Sequence, residues 1–195
     1  MLMDIEIKRL TPELADDYVH FFDVTPHDAY VDAHKCYCVC WCADDYEGKD
    51  FSTAEKRRTA AHRYVQEGIL QGYLAYHNGK PIGWCNANTK SDCLKCCSWR
   101  IFMKNVPVDL NENIKCVFCF VIAPHMQRQG IATHLLNQAI LDAITDGFDA
   151  IEAYPNKHFQ SVAADFMGPI DLYSKYGFEV IGETSEKYII RKNLK

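Results

Sequence analysis

Hydrophobic residues follow two different patterns on either side of Pro124. The segment 114–122 is almost wholly apolar and rich in β-branched and aromatic side chains, which is typical of a strand buried on both faces. Over 130–146 the apolar residues recur every three or four positions, which predicts an amphipathic helix. The chain therefore passes from a buried strand into a helix through one short polar turn.

The rest of the pattern predicts a mixed α/β chain. The other predicted elements are, in order, a strand at 5–10, a helix from Pro12 to about Phe22, a helix opened by the Ser52-to-Glu55 capping box and ending near Leu70, a hairpin of 73–77 and 81–87 around Asn78-Gly79, a strand at 150–154, a helix from Pro169 to Tyr176 and a terminal hairpin over 179–191. Residues 88–112 show no sustained period, and we expect an irregular connection with at most a short helix. The length of 195 residues fits one domain, 1–195.

Composition narrows the classes of partner. Hydrophobic residues make up 48% of the chain and charged residues 24%, as in ordinary globular proteins. A formal charge of −5 argues against nucleic-acid binding, which needs a basic surface. The sequence shows neither a signal-peptide pattern nor an apolar window of membrane-spanning length. We therefore expect a cytoplasmic protein with no nucleic-acid and no membrane partner, either a monomer or a homodimer.

Ten cysteines are the unusual feature of the composition. Four of them alternate over 36–42, which would place them on one face of an extended strand. Cys93 and Cys96 have the Cys-x-x-Cys spacing that structural zinc prefers. A four-thiolate site joining the two clusters is one alternative, and buried thiols that pack as small apolar side chains are the other. The second is the expectation, and no metal is expected.

The turn between the buried strand and the helix is suited to binding a phosphate. The first N–H groups of a helix lack intrahelical partners, and the helix dipole adds about half a positive charge there. Gly130 has no Cβ and lets a phosphate approach the backbone, and Ala132 is the next smallest choice. A Walker loop is excluded because no Gly-Lys-Ser/Thr follows, and a dinucleotide fingerprint because only one of its three glycines is present.

Two motifs resemble the GCN5-related N-acetyltransferases. The first, Gln127-x-x-Gly130-x-Ala132, is similar to the coenzyme A loop of that family. The second, in the segment 172–179, is similar to the family's Tyr-x-Lys-x-Gly-Phe motif and matches it at Tyr173, Lys175, Gly177 and Phe178. The predicted element order is also that of the family, closely from residue 70 onward and in order only before it.

The resemblance implies a single-domain α/β (α+β) fold in which a mixed sheet of six to seven strands, splayed at its centre, is flanked by helices. It assigns 114–191 to a cofactor-binding core and 1–70 with 88–112 to the acceptor side. Acetyl-CoA would enter between the fourth and fifth strands. The implied cofactor-binding residues are Phe120, Val121 and Ile122 for the pantetheine arm, and Gln127, Arg128, Gln129, Gly130, Ile131, Ala132 and Thr133 around the pyrophosphate.

The resemblance also implies the reaction. The primary amine of a small molecule or peptide would attack the acetyl thioester directly in a ternary complex, without an acyl-enzyme on Cys119 or any other residue. Tyr173 would be the general acid for the leaving thiolate. Glu152 is the best-placed carboxylate for a general base, although an ion-paired glutamate explains its position equally well.

Two other functions stay open at this point. One is a non-catalytic acyl-CoA-binding module, and the other is a zinc-containing or thiol-containing redox-responsive protein on the same fold. The acceptor itself is not encoded in a recognisable motif. The segments 21–51 and 88–112 contribute aromatic residues to the acceptor side, and they predict an aromatic-lined pocket: Tyr37, Trp41, Phe51 and Trp99.

Overall fold

The computed structural model describes residues 4–25, 35–42, 50–109, 111–161 and 164–195. Within these ranges no helix has both the length and the apolar character needed to cross a lipid bilayer.

One seven-stranded mixed sheet forms the centre of the structure, with strand order β1-β2-β3-β4-β5-β7-β6. The strands are β1 Glu6–Arg9, β2 Gly72–His77, β3 Lys80–Thr89, β4 Ile114–Ile122, β5 Ala150–Ala153, β6 Glu179–Glu183 and β7 Tyr188–Asn193. All neighbouring pairs are antiparallel except β4 and β5, which are parallel. The predicted sheet of six to seven strands is therefore confirmed, and β4 has the predicted bounds.

Six α-helices flank the sheet in the described ranges. They are α1 Ala15–Val24, α2 Ala54–Gln66, α3 Lys90–Cys93, α4 Cys97–Phe102, α5 Ile131–Thr145 and α6 Ile170–Ser174. The prediction for 88–112 was wrong, because this connection contains two helices where at most one was expected. Both are shorter than two turns, which is too short for a hydrophobic period to be recognised. Cys96 caps α4 by accepting a bond at Sγ from the Trp99 N–H.

Two predicted helix starts are displaced by one residue. The N-cap of α2 is Thr53, whose side chain accepts a bond from the Lys56 N–H, and not Ser52. Pro169 is the N-cap of α6 and not its first helical residue. Helix α2 also ends at Gln66, before the predicted Leu70, because Gly68 adopts a left-handed φ of 70° just beyond it.

The helices cover both faces of the sheet. Helix α5 packs on one face through residues at helical spacing: Ile131, Leu135, Leu136, Ala139 and Ile140. Helices α1 and α2 pack on the other face, where Trp84 of β3 and Tyr18 of α1 meet edge to face with ring centroids 4.8 Å apart. Next to them on this second face, α4 covers Cys116 and Phe118 of β4. Strand β4 is therefore enclosed on both sides, as its apolar sequence predicts.

The parallel strands β4 and β5 pair over only part of the length of β4. The register runs from Ile114 opposite Ala150 to Val117 opposite Ala153, where β5 ends. Strand β4 continues for five more residues to Ile122 along an edge that β5 does not cover. We refer to this uncovered edge of β4, residues 118–122, as the groove; it leads to the turn that precedes α5.

Candidate active site

The turn after β4 places a helix N-terminus at the open end of the groove. Gly130 is the N-cap of α5 with φ 82°, and the first bond in α5 runs from the His134 N–H to the Gly130 carbonyl. The N–H groups of Ile131, Ala132 and Thr133 precede that bond and have no acceptor within the helix. A Cβ added at Gly130 would meet no atom within 4 Å, so the space beside this backbone is open. These features suit an anionic group such as a pyrophosphate.

Two glutamines brace this turn from within. The Gln127 side chain donates to the Ile122 carbonyl at 3.4 Å, and the Gln129 side chain donates to the His125 carbonyl at 2.9 Å. Arg128, between them, is exposed and has a left-handed φ of 60°. The glutamines thus shape the turn, whereas the Arg128 guanidinium is at the surface.

A bulge in β4 decides which main-chain groups face the groove. Asn86 of β3 pairs with Cys119 and the next residue, Ala87, pairs with Val117, so Phe118 is the extra residue. The Phe120 N–H points away from β3 and donates to the Phe166 carbonyl at 2.7 Å. Main-chain groups alternate along a strand, so those of Ile122 also face the groove while those of Val121 face β3. The prediction of three pantetheine-pairing residues is narrowed to two, Phe120 and Ile122.

Tyr173 lies at the same groove and is completely buried. Its ring contacts Phe178 and Phe120, with centroids 5.2 Å and 6.4 Å away. Its hydroxyl donates to the Met167 carbonyl at 2.5 Å. Burial, with a smaller contribution from the nearby Cys85 thiol, raises the pKa of Tyr173 well above its usual range. The phenol is therefore protonated at neutral pH.

Glu152 lies on the opposite face of the sheet, in a buried ion-pair network. Oε2 accepts bonds from Lys90 Nζ at 2.7 Å and the Tyr154 hydroxyl at 2.6 Å, and Oε1 accepts from Arg191 Nη2 at 2.6 Å. Arg191 also donates to Glu112 at 2.8 Å. Burial alone would raise the pKa of Glu152, but the hydrogen bonds from Lys90, Tyr154 and Arg191 outweigh it and hold the pKa below its usual range.

This pairing bears directly on the role predicted for Glu152. A carboxylate with two cationic partners and a lowered pKa has little tendency to accept a proton. The ion-paired interpretation of Glu152 therefore fits the geometry, and the general-base interpretation does not. Neither Lys90 nor Arg191 could be assigned to Glu152 from the sequence, because both lie far from it along the chain.

Aromatic side chains gather beside the groove on the face predicted to be the acceptor side. Trp41 stacks on Phe118 with centroids 4.4 Å apart, and Trp99 meets the same ring edge to face at 6.2 Å. Phe102 then stacks on Trp41 at 6.1 Å and contacts Phe166 at 5.5 Å. Of the four aromatics predicted for an acceptor pocket, two are in this cluster.

The other two predicted aromatics lie elsewhere. Tyr37 is buried against Phe22 of α1, and Phe51 packs at the edge of that same core. Part of the predicted acceptor segment 21–51 lies outside the described residues. Sequence reasoning missed Phe102 and Phe166, since single aromatics in segments without a period carry no signal of their own.

Seven of the ten cysteines are buried. Residues 37–42 form a turn and a 3-10 helix, not the extended strand considered for this segment, and none of the ten cysteines forms a disulfide. Burial raises the pKa of the Cys96 thiol to about 11 and that of the Cys116 thiol to about 12. Among the described residues, no three His, Cys, Asp or Glu side chains are grouped as metal ligands. The buried thiols fit apolar packing, and their raised pKa disfavours thiolate chemistry.

One buried polar side chain beside the bulge has no partner. Both the Oδ1 and Nδ2 atoms of Asn86 are buried without a hydrogen bond within the described structure. Asn86 is on β3, opposite Cys119 of β4. An unpaired buried amide costs about 1–3 kcal/mol, so an ordered water is its expected partner.

The sequence is similar to that of a known protein family. A sequence model described as the acetyltransferase (GNAT) family matches residues 27–178. No curated protein sequence matches the chain. The match to the family model covers well over half of the chain.

Three solved structures illustrate the similarity in fold. A GNAT-family acetyltransferase from Streptococcus pneumoniae is 18% identical with a TM-score of 0.56, covering 98% of this chain and 100% of its own. PaiA N-acetyltransferase from Thermoplasma acidophilum, in complex with coenzyme A, is 16% identical with a TM-score of 0.54, at 98% and 99% coverage. The ribosomal-protein-S18-alanine N-acetyltransferase from Escherichia coli is 15% identical with a TM-score of 0.54, at 98% and 95% coverage. With the match over residues 27–178, the chain belongs to the GNAT acetyltransferase family.

Proposed function

We propose that the protein is an N-acetyltransferase that moves an acetyl group from acetyl-CoA to the primary amine of a small molecule or peptide. The observation that carries this proposal is the groove between β4 and β5, which leads to the N–H groups at the start of α5 that have no acceptor within the helix. The similar PaiA structure contains coenzyme A, which supports the donor. The name of the similar ribosomal-protein alanine N-acetyltransferase supports an amine as acceptor.

Acetyl-CoA is held mainly by main-chain groups. The N–H groups of Ile131, Ala132 and Thr133 bind the pyrophosphate, and the Arg128 guanidinium adds a cationic contact. Along the groove, the main-chain groups of Phe120 and Ile122 pair with the pantetheine amides in the manner of an added strand. The predicted contact through Val121 is not retained, because its main-chain groups face β3.

The reaction is a direct displacement with both substrates bound. The amine nitrogen attacks the thioester carbonyl carbon, the carbon–sulfur bond breaks and the sulfur leaves as a thiolate. Holding the two reactants in the correct orientation is worth about 7–11 kcal/mol in such reactions. A residue that carries the acetyl group is unnecessary, and Cys119 is unsuited to that role because it is buried and its pKa is raised.

Tyr173 is the proposed general acid. Its hydroxyl is protonated because burial raises its pKa, and its ring already contacts Phe120 at the groove. A hydrogen bond from this hydroxyl would stabilise the leaving thiolate, which has an ordinary thiol pKa near 8.5. Donating to the thiolate requires the hydroxyl to leave its present acceptor, the Met167 carbonyl.

Deprotonation of the acceptor follows a different route from the one predicted. Glu152 keeps its ion pairs with Lys90 and Arg191, so we assign it a structural role beneath the acceptor side. A chain of water molecules on that side then takes the proton, since an alkylammonium with a pKa near 10.4 must lose it before attack.

A coenzyme A release assay tests this function. The purified protein is incubated with acetyl-CoA and a panel of amines, amino acids, polyamines, aminoglycosides and peptides, and free thiol is measured together with the acceptor mass. The proposal requires equal amounts of thiol and acetylated amine for at least one acceptor class. Binding of acetyl-CoA without transfer to any class would instead support the non-catalytic binding module.

A further inference from the structure

Two consecutive carbonyl groups accept hydrogen bonds from the two groups that are proposed to donate to acetyl-CoA. The Phe166 carbonyl accepts the Phe120 N–H at 2.7 Å, and the Met167 carbonyl accepts the Tyr173 hydroxyl at 2.5 Å. The Phe120 N–H is proposed to pair with the pantetheine arm, and the Tyr173 hydroxyl is proposed to stabilise the leaving sulfur. Each carries one hydrogen, so neither can donate well to acetyl-CoA while these two bonds persist.

The same segment is packed into the groove as well as bonded to it. Met167 is only 2% exposed and joins the core cluster that contains Trp41 and Tyr154. Gly168 lies against the Phe120 ring, since a Cβ added there would come within 3.4 Å of two ring atoms. The segment 164–168 therefore covers the β4 edge at Phe120, where β5 has already ended.

Asp165 holds the outer end of this segment in place. Its carboxylate accepts bonds from the Asn156 side chain at 2.8 Å, the Gln160 N–H at 2.8 Å and the Ser161 N–H at 3.1 Å. The Lys187 ammonium donates to Asn156 in turn, at 2.6 Å. These partners lie outside β4 and α6, so removing the carboxylate leaves the Phe120 N–H and the Tyr173 hydroxyl themselves in place.

We propose that residues 164–168 form a strap that closes the donor groove, and that acetyl-CoA binds only after the strap has left Phe120 and Tyr173. This inference rests on the proposed function, because the groove matters as a donor site. The strap also links the two substrate sides, since the Phe166 ring contacts Phe102 of the acceptor-side cluster. Opening the groove to the donor therefore also moves an aromatic side chain on the acceptor side.

The expected behaviour of the strap differs from that of a structural loop. When the binding-competent state is only partly populated, the apparent affinity is reduced by that fraction. Loosening the strap should therefore tighten coenzyme A binding, whereas damage to a merely structural loop would weaken it. Binding should also proceed in two steps, so its observed rate should level off at high coenzyme A concentration.

The test compares the wild type with Asp165→Ala, using coenzyme A in calorimetry and stopped-flow tryptophan fluorescence. Asp171→Ala is the matched control, because it removes an exposed carboxylate from α6. We expect Asp165→Ala to bind roughly three- to tenfold more tightly and its rate to level off at a higher value. Phe166→Ala, which removes the ring from Phe102, should act in the same direction.

Three outcomes separate the two proposals. Tighter binding in Asp165→Ala and Phe166→Ala, with the control unchanged, supports the strap. Wild-type binding with equal or weaker binding in both folded variants overturns the strap and leaves the donor site standing. Absence of coenzyme A binding in the wild type and in all three variants overturns the proposed function and the strap together.

Discussion

The hydroxyl of Tyr173 and the carbonyl of Met167 are joined by a 2.5 Å hydrogen bond inside a fully buried part of the groove. The bond directs the phenol, which burial keeps protonated, toward the loop between β5 and α6. In the reaction that hydroxyl would turn to the leaving sulfur. The proposed role of Tyr173 as general acid thus depends on the position of the strap.

Replacing Tyr173 with phenylalanine removes this hydroxyl and little else. We expect Tyr173→Phe to lower kcat by roughly tenfold to a thousandfold, since a general acid acts mainly in the transition state. Coenzyme A affinity should not fall, because the strap loses one of its bonds. Steady-state kinetics with calorimetry measure the two effects. Tyr76→Phe is the control, because it also loses a hydroxyl bond, to Asp17, but lies on β2. A kcat equal to that of the wild type would remove Tyr173 from the mechanism.

The two ends of α5 allow a matched test of the phosphate-binding turn. Gly130 and Gly147 have φ of 82° and 77°, and a Cβ at either would meet no atom within 4 Å. Alanine at each position should therefore cost about 1–2 kcal/mol of stability through backbone strain alone. Only Gly130→Ala should also weaken coenzyme A binding, by roughly tenfold, because it displaces the N–H groups at the helix start.

Thermal unfolding and calorimetry on both glycine variants separate strain from binding. Equal loss of coenzyme A affinity in Gly130→Ala and Gly147→Ala would show that the effect comes from general destabilisation. Unchanged affinity in Gly130→Ala would move the pyrophosphate away from this turn.

The ion pairs of Glu152 predict a dependence of stability on pH. Its folded pKa is lowered, so the stabilisation is complete above the unfolded pKa, near 4.3, and is lost as pH falls through the folded value. Glu152→Gln should lose about 3 kcal/mol at pH 7, because Lys90 is left buried without a charged partner. Urea unfolding should show this difference shrinking as pH falls below about 4.

A second substitution controls for packing at the same site. In the Glu152→Gln background, Lys90→Met should restore part of the stability, since the unpaired charge is then gone. If the losses of stability from Glu152→Gln and Lys90→Met simply add in the double variant, the two residues do not stabilise each other as an ion pair. A loss in Glu152→Gln that stays unchanged at low pH would contradict the ion pair as well. A kcat that changes its pH profile in Glu152→Gln would return this residue to the role of base.

The thiols provide a separate prediction. Burial raises the pKa of Cys85, Cys93 and Cys116, so these thiols should react slowly with a disulfide reagent at pH 7.5. The first to react should be the partly exposed Cys36, Cys40 and Cys97. Thiol titration with and without denaturant, together with zinc analysis, checks this. Stoichiometric zinc, or ten fast thiols in the folded protein, would be inconsistent with packing.

Much of the fold could be predicted because its patterns are local. Strand β4 and helix α5 have strong periods, and the Asn78-Gly79 turn has the two positive φ angles that its sequence favours. Helices α3 and α4 are too short to show a period. The candidate site was predictable where a local motif specified it, around Gly130 and at Tyr173.

The rest of the site depends on contacts between distant segments. The bulge at Phe118 decides that Phe120, and not Val121, presents its N–H to the groove, and a bulge leaves no mark in a continuous apolar run. The pairing of Glu152 with Lys90 joins residues 62 positions apart. The strap contacts at Phe166 likewise come from a segment with no period of its own.

The central claim is that acetyl-CoA binds between β4 and β5 with its pyrophosphate at the start of α5. The most direct test is a nuclear magnetic resonance titration of the backbone amides with coenzyme A. The account expects the largest shifts at Ile131, Ala132 and Thr133 and at Phe120, whose N–H exchanges the Phe166 carbonyl for the ligand. Saturable shifts confined to other parts of the sheet, or no shifts at millimolar coenzyme A, would contradict it.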